Sequence, residues 1–327
     1  METFYFIVNP KAGNGRCLAI WKKVEKRLKS LHIPYRAFFT EYRGHAIELS
    51  REAVKLTAGR NAVVAAVGGD GTAHEVLNGI GHSGSVAFGF IPAGSGNDFS
   101  RGYKIASDPI EAMEDLLRNQ GVTETLTDCG SLSLNCRTTL FINNAGAGFD
   151  ALVSKKANES RIKSIFNRIS LGKLVYVYIL LKELITYKRT TIRLTIDGRD
   201  HIFDQAWFVT VSNQPFYGGG MIISPKAKPD DGELDVTVVH HLSKKKLLLV
   251  FISVFWGKHI HFKEVHTFRG RVVSVQTSFP IHFHADGEYL GMATTEKIKV
   301  IPHAVRILAR QGLAEDMEVR GEANGIH

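Results

Sequence analysis

Cysteine is scarce in this chain: Cys17, Cys129 and Cys136 are the only three among 327 residues. None forms a C-x-x-C pair, so neither a metal-finger spacing nor a disulfide framework is present, and the odd count fits reduced thiols in a cytoplasmic protein. Long apolar runs are missing too. The longest, Leu247–Trp256, stops well short of the ~20 residues that a membrane-spanning helix needs, and Leu174–Tyr187 is broken by Lys182 and Glu183. The chain can therefore lie on a membrane surface and is not expected to cross one. Met1-Glu2-Thr3 carries no basic segment ahead of Phe4–Val8, which reads as a first strand rather than a signal peptide. No RNP signature, helix-turn-helix or zinc-finger spacing appears, which argues against a nucleic-acid partner. Internal repeats and low-complexity tracts are also absent.

What is present is ordinary in bulk and distinctive in detail. Hydrophobic residues make up 44% and charged residues 22%, as in soluble globular proteins. The length favours two domains over one. A formal charge of +9 suggests attraction to a polyanion: nucleic acid, nucleotide or an anionic membrane surface.

The first third alternates strand-like and helix-like segments. Phe4–Val8 precedes the turn Asn9-Pro10-Lys11-Ala12-Gly13-Asn14-Gly15, after which Leu18, Trp21, Val24 and Leu28 recur at helical spacing. Ala37–Thr40 predicts a second strand and Ala46–Ala58 a second helix. Ala62–Val67 and Val86–Ile91 are continuous apolar runs of the kind buried on both faces of a parallel sheet. This order predicts a doubly wound, mostly parallel α/β domain over 1–125. Beyond it, Leu140–Asn143, Thr191–Ile196, Ala206–Val211, Leu234–Val239, Arg271–Thr277 and Lys297–Ile301 are β-rich and separated by turn residues. They predict an antiparallel β-sandwich domain over 126–310, interrupted by helices near 161–187 and 243–257. The chain is expected to return to the first domain near 295–310, and 311–327 to form a polar tail.

The chemistry concentrates in glycine-rich turns. Gly68-Gly69-Asp70-Gly71-Thr72 follows a buried strand and precedes the helix-like Ala73–Ile80. Glycines there let backbone N–H groups approach an anion, and the helix N-terminus adds a favourable field. Asp70 is the informative departure, because a carboxylate facing a triphosphate repels it unless a divalent cation intervenes, which implies Mg²⁺. The turn after the first strand and Pro92-Ala93-Gly94-Ser95-Gly96-Asn97-Asp98 after the fourth would open on the same sheet edge, where doubly wound folds bind ligands. Their glycines and small hydroxyl and amide side chains suit phosphate and ribose contacts, so nucleotide binding is expected.

These motifs, in this order and spacing, resemble the diacylglycerol kinase catalytic-domain family, including compact bacterial lipid kinases. The resemblance continues through Asn144–Ala151, Tyr217–Met221, Pro225–Gly232 and Asp286-Gly287-Glu288, to about residue 310. It implies an NAD-kinase/phosphofructokinase-like first domain and transfer of the γ-phosphate of ATP to a membrane-lipid hydroxyl, with diacylglycerol the first-choice acceptor and phosphatidic acid the product. Carried onto this chain, it implies that Asn9, Lys11 and Thr40 border the nucleotide. Gly68, Gly69, Gly71 and Thr72 would cradle phosphates, with Glu75 in the same helix and Ser95 and Asn97 in the third turn. A structural Mg²⁺ would match Lys228 and Glu233 through their carbonyls and Asp231 through its carboxylate. Glu288 matches the proton acceptor, with Asp70 as the other catalytic carboxylate. Homodimers are common among relatives.

Two rival readings remain: an NAD kinase-like phosphotransferase, which shares Gly-Gly-Asp-Gly, and a non-catalytic nucleotide-binding membrane regulator. A lipid acceptor implies a position on the inner face of the membrane. Arg161, Lys163, Arg168 and Lys173 among apolar residues, and Lys244-Lys245-Lys246 ahead of Leu247–Trp256, would suit interfacial helices on anionic lipid; core-facing helices with solvated charges would show the same pattern. Among the fourteen histidines, His282 and His284 share a strand face, where a polar face is favoured over a metal site.

Overall fold

The structure, a computed structural model, describes residues 3–81, 86–119, 125–159 and 172–308. The basic stripe through Arg161, Lys163 and Arg168 and the tail 311–327 lie outside the described residues.

Four parallel strands form the first half: β1 (Thr3–Val8), β2 (Tyr35–Phe39), β3 (Ala62–Gly68) and β4 (Val86–Pro92), in the order β2-β1-β3-β4. Every residue of β3 and β4 is buried, which is why both read as continuous apolar runs. Alternation along β1 sends its side chains into two cores. Tyr5 and Ile7 pack with α2 (His45–Thr57) and α3 (Asp70–Ile80), whereas Phe4, Phe6 and Val8 pack with α1 (Arg16–Ser30) and α5 (Pro109–Arg118). The stripe Cys17, Trp21, Val24 and Leu28 is the buried face of α1. Each such side chain contributes about 1.5–3 kcal/mol of hydrophobic stabilisation.

The starts of two elements differ from the sequence reading. The second strand starts at Tyr35, because Tyr35 and Arg36 already pair with Phe4 and Tyr5. The third helix begins at Asp70 rather than near Ala73: Gly69 caps it, and Thr72 and Ala73 N–H groups both donate to the Gly69 carbonyl. Asp70 thus stands in the first turn of a helix, where the macrodipole favours negative charge.

The second half is antiparallel. Its strands are β5 (Thr125–Leu134), β6 (Arg137–Phe141), β7 (Asn144–Gly148), β8 (Thr190–Ile196), β9 (Arg199–Ser212), the short pair β10 (Phe216–Tyr217) and β11 (Met221–Ile222), β12 (Leu234–His240), β13 (Val265–Gly270), β14 (Val272–Ala285) and β15 (Glu288–Ile307). β14 changes partner at an irregularity between Gln276 and Ile281, pairing with β8 before it and with β7 after it. That bend folds the strands around one core of Leu132, Phe141, Ile192, Val209, Val236, Val275 and Phe283. Hydrogen bonding joins the two halves through β15, whose Arg306 and Ile307 run parallel to β4.

The helices α6 (Phe149–Glu159), α7 (Gly172–Thr186) and α8 (Lys244–Val254) complete this half. The short α4 (Asp98–Gly102) has no helical apolar repeat to announce it, and α6 and α5 go unread in the sequence despite the i, i+4, i+8 repeat Phe149, Val153 and Ala157 in the one and the Asp108 cap and Pro109 start of the other. No described helix is long and apolar enough to cross a membrane.

Candidate functional site

The C-terminal ends of β1, β3 and β4 stand side by side. Asn9 N–H donates to the Val67 carbonyl at 3.0 Å and Ala93 N–H to the Gly68 carbonyl at 2.7 Å, so the three glycine-rich turns are tied into one ledge. Glycine is required where they touch. A Cβ on Gly68 would lie 2.4 Å from Thr72 Oγ1, and one on Gly94 would lie 2.5 Å from Gly69 Cα. Asn9 Nδ2 donates to Thr72 Oγ1 at 3.1 Å, and Lys11 Nζ to the Glu41 carbonyl at 2.8 Å.

A cleft of about 1040 Å³ opens above this ledge. Of the residues expected at the nucleotide, Asn9, Lys11, Thr40, Gly69, Gly71, Thr72, Glu75 and Ser95 line it, together with Asp70 and Glu288. Gly68 lies behind the lining, as the last residue of β3. Asn97 sits in left-handed conformation at the start of α4, with its Nδ2 on the Gly94 carbonyl and its Oδ1 buried without a partner. Glu75 accepts from the N–H groups of Gly44 (2.8 Å) and Ala46 (3.2 Å), and so anchors the loop that carries Thr40 to Arg43. Lys228, Asp231 and Glu233 are not among the residues lining the cleft.

The second half supplies the far wall through Asn143, Asn144, Ser154, Asn158, Tyr217 and the turn Asp286-Gly287-Glu288. The side chain of Asp286 is 1% exposed and holds that wall together. Its Oδ1 accepts from the N–H groups of Asn143 (2.8 Å) and Asn144 (3.1 Å), and its Oδ2 from Ile142 N–H (3.1 Å) and His74 Nδ1 (3.0 Å). Burial works to lower the His74 pKa, but the hydrogen bond and charge of Asp286, with Glu288 and Glu75 beyond, prevail and raise it. The next residues are fixed from behind: His284, fully buried, pairs with Asp150 at 3.1 Å through Nε2 and faces Gly287 N–H through Nδ1 at 3.3 Å. His284 is therefore a buried structural partner of α6.

Glu288 begins β15 and reaches back to the ledge. Its Oε1 is 2.9 Å from where a side chain on Gly71 would begin, and its Oε2 pairs with the Arg43 guanidinium. Asp70 faces the same cleft. Its Oδ1 accepts from Phe99 N–H at 3.0 Å, while Oδ2 points at the third turn, 2.8 Å from the Cβ position of Gly96. Burial, followed by repulsion from Asp98, pushes its pKa up from 3.8 to about 6. Asp98 is itself raised by burial, although Gly219 N–H (2.7 Å) and Arg101 (3.0 Å) hold its carboxylate. Sequence reasoning gave no individual role to Arg43, His74, Asp98 or Arg101, although Asp98 closes the third glycine-rich turn and Arg43 stands one residue before Gly44.

Away from the cleft, the turn carrying Lys228, Asp231 and Glu233 is clamped to β5: Asp128 accepts from Gly232 N–H at 2.6 Å and from His303 N–H at 2.8 Å. Arg269 pairs with Asp231 and approaches Glu233 at 3.3 Å and Asp235 at 3.6 Å. Among the described residues no group of three or more His, Cys, Asp or Glu is arranged to hold a metal ion.

Comparison with known proteins identifies the family. Residues 3–128 match the family described as Diacylglycerol kinase catalytic domain, and residues 143–309 match the YegS C-terminal NAD kinase beta sandwich-like domain. The chain is 35% identical over 308 residues to a Bacillus subtilis (strain 168) protein named "Putative lipid kinase YtlR", covering 94% of this chain and 99% of that one. It is 31% identical over 305 residues to a "Diacylglycerol kinase" of Mycobacterium tuberculosis (strain ATCC 25618 / H37Rv), covering 92% and 93%. The crystal structure of a "putative diacylglycerol kinase" from Bacillus anthracis str. Sterne shares the fold, with a TM-score of 0.74 at 22% identity and 96% of each chain covered.

Proposed function

Since this chain belongs to the diacylglycerol kinase catalytic-domain family and is a lipid kinase, we propose that it transfers the γ-phosphate of ATP to the hydroxyl of diacylglycerol, giving phosphatidic acid. The observation that carries the proposal is the meeting of Glu288 with Gly71: a carboxylate from the second half stands against the phosphate turn of the first.

The family implies ATP as donor, and the ledge suits it. Backbone N–H groups at the start of α3, with Lys11 and Arg16 at the cleft wall, favour a polyphosphate. The residues also fit a divalent cation. Asp70 Oδ2 is a hard oxygen donor whose charge is opposed by burial and by Asp98, and a cation shared with phosphate oxygens would relieve that opposition. Bound there, Mg²⁺ would neutralise charge on the donor phosphates. Asp70 would hold that edge of the site, while Asn9 and Thr72 fix the ledge by their mutual hydrogen bond. At the turn of Lys228, Asp231 and Glu233 the Asp231 carboxylate pairs with Arg269, which a structural Mg²⁺ held there by the two carbonyls and that carboxylate would have to displace.

Transfer forms a bond from the lipid oxygen to the γ-phosphorus and breaks the bond from that phosphorus to the oxygen left on ADP. The hydroxyl proton passes to the Glu288 carboxylate, which the Asp286 turn positions. Asp286 ties the two halves together through His74 and holds its own wall through Ile142, Asn143 and Asn144.

The acceptor resides in a bilayer, and two neighbouring helices suit its surface. Tyr178, Leu181 and Ile185 of α7 and Leu249, Ile252 and Trp256 on and just beyond α8 are exposed, with Ile185 at 71% and Trp256 at 66%. Lys244 donates to the Ile185 carbonyl and so joins the helices. Exposed Lys182, Lys188, Lys244 and Lys245 flank the apolar face. This combination supports peripheral binding to an anionic inner leaflet.

Incubation with labelled ATP, Mg²⁺ and a lipid panel, with NAD⁺ included, tests the proposal. Labelled phosphatidic acid is expected. Label in another lipid would replace the acceptor, label in NADP⁺ would overturn the reading, and no transfer at all would favour a regulator.

A further inference from the structure

We infer that Arg43 is a second catalytic residue of this site: a guanidinium parked on Glu288 before the donor arrives, which passes to the transferred phosphoryl group when ATP binds. The inference rests on the reading of Glu288 and the Gly71 turn as the place of transfer.

The placement follows from how firmly everything except the Arg43 side chain is held. Glu288 follows a turn pinned by four hydrogen bonds to Asp286. Its two carboxylate oxygens divide between two neighbours, Oε1 against Gly71 and Oε2 on Arg43. The guanidinium is therefore one carboxylate group away from the phosphate turn. On the other side, the loop bearing Arg43 is fixed at both ends, by Thr40 N–H on the Val8 carbonyl (2.9 Å) and by Gly44 N–H on Glu75 (2.8 Å). Lys11 ties its middle to the first turn through the Glu41 carbonyl. The Arg43 side chain itself is 67% exposed, and Glu288 is its only ion-pair partner among the described residues. A long side chain with a rigid base, room to move and one competing carboxylate is suited to switching between two anions.

Charge explains why it would switch. A γ-phosphate entering the cleft beside Gly71 and Glu288 brings oxygens that bind a guanidinium bidentately, with more charge than a single carboxylate. Arg43 leaving Glu288 then does two things. It places a cation where negative charge spreads over the equatorial oxygens during transfer, as an arginine supplied from within the same chain does in other phosphoryl-transfer enzymes. It also frees Glu288 to accept the hydroxyl proton only once a donor is present. Of the other cations lining the cleft, Lys11 donates to the Glu41 carbonyl and Arg16 to the Gly13 carbonyl, so Arg43 is the one held by a carboxylate that the donor would displace.

Binding measured without lipid separates this role from a merely structural one. Calorimetry of Mg·ATP and Mg·ADP with wild type, Arg43→Met, Arg43→Lys and Glu288→Gln reads whether Arg43 senses the γ-phosphate. Arg43→Met is expected to keep its ADP affinity and to lose about tenfold in ATP affinity, with Arg43→Lys recovering part of the loss. Glu288→Gln, which releases the arginine, is expected to bind ATP more tightly than wild type, and the double variant to lose that gain. With lipid present, kcat of Arg43→Met should fall on the order of 100-fold at a little-changed lipid KM. An unchanged ATP-to-ADP affinity ratio in Arg43→Met, or equal losses for both nucleotides, would overturn the inference. Thermal melting of each variant confirms that an exposed position leaves the fold intact. Because the binding ratio needs no acceptor, it remains decisive even if diacylglycerol proves to be the wrong lipid.

Discussion

Replacing Asp70 by Asn should stabilise the free protein while abolishing its activity. Asp70 is pushed from 3.8 to about 6, chiefly by burial and next by Asp98. A carboxyl whose folded pKa lies above its unfolded one favours folding most at low pH. That advantage is given up as pH rises between the two values, here from 3.8 to about 6. A gap of about two pH units corresponds to about 3 kcal/mol once the group is ionised in both states. Asn keeps an oxygen for Phe99 N–H and removes the repulsion with Asp98, but it forfeits about 0.3–1 kcal/mol of favourable charge at the start of α3. The expected net gain is about 2 kcal/mol at pH 7.5, shrinking towards zero or below by pH 4. Urea unfolding of both proteins at pH 4, 5.5 and 7.5, without nucleotide or divalent ions, measures it. A variant no more stable than wild type at pH 7.5, or a gain that persists undiminished at pH 4, would refute the claim that the Asp70 charge is held at a cost. Mg·ATP should raise the melting temperature of wild type far more than that of Asp70→Asn.

Glu288→Gln should bind nucleotide yet lose turnover by about 10²–10⁴-fold, as removal of a general base does; phosphatidic acid formation near the wild-type rate would take Glu288 out of the chemistry. Trp21→Ala should cost about 3–5 kcal/mol in urea unfolding, because Trp21 is 2% exposed and packs against Phe6, Tyr35 and Phe39. Wild type should float with phosphatidylglycerol vesicles at low salt and less with phosphatidylcholine, and the Ile185→Glu/Trp256→Glu double variant should stay in solution while still binding Mg·ATP. Equal recovery on both vesicle types would argue against an electrostatic landing surface.

Much of this was legible before the structure because it is local. The strand–glycine–helix punctuation, the buried runs of β3 and β4 and the stripe Cys17, Trp21, Val24 and Leu28 each declare themselves within a few residues. The partner change in β14 was not legible, since nothing in a β-rich segment states which neighbour each half will take. Nor was the start of α3 at Asp70, because glycine there reads equally as loop or as helix cap.

By itself the sequence determined that turns rich in glycine follow buried strands, that an acid sits among them, and that apolar periodicity can cover a parallel sheet on both faces. These depend on spacing along one strand or helix, where backbone geometry fixes what faces what. Only the tertiary structure decided that Arg43 meets Glu288 and that His74 meets Asp286, pairs separated by 245 and 212 residues, and that Arg269 stands over Asp231. It also set the Asp70 charge against Asp98, since both its burial and that distance arise from three separate turns packed backbone to backbone.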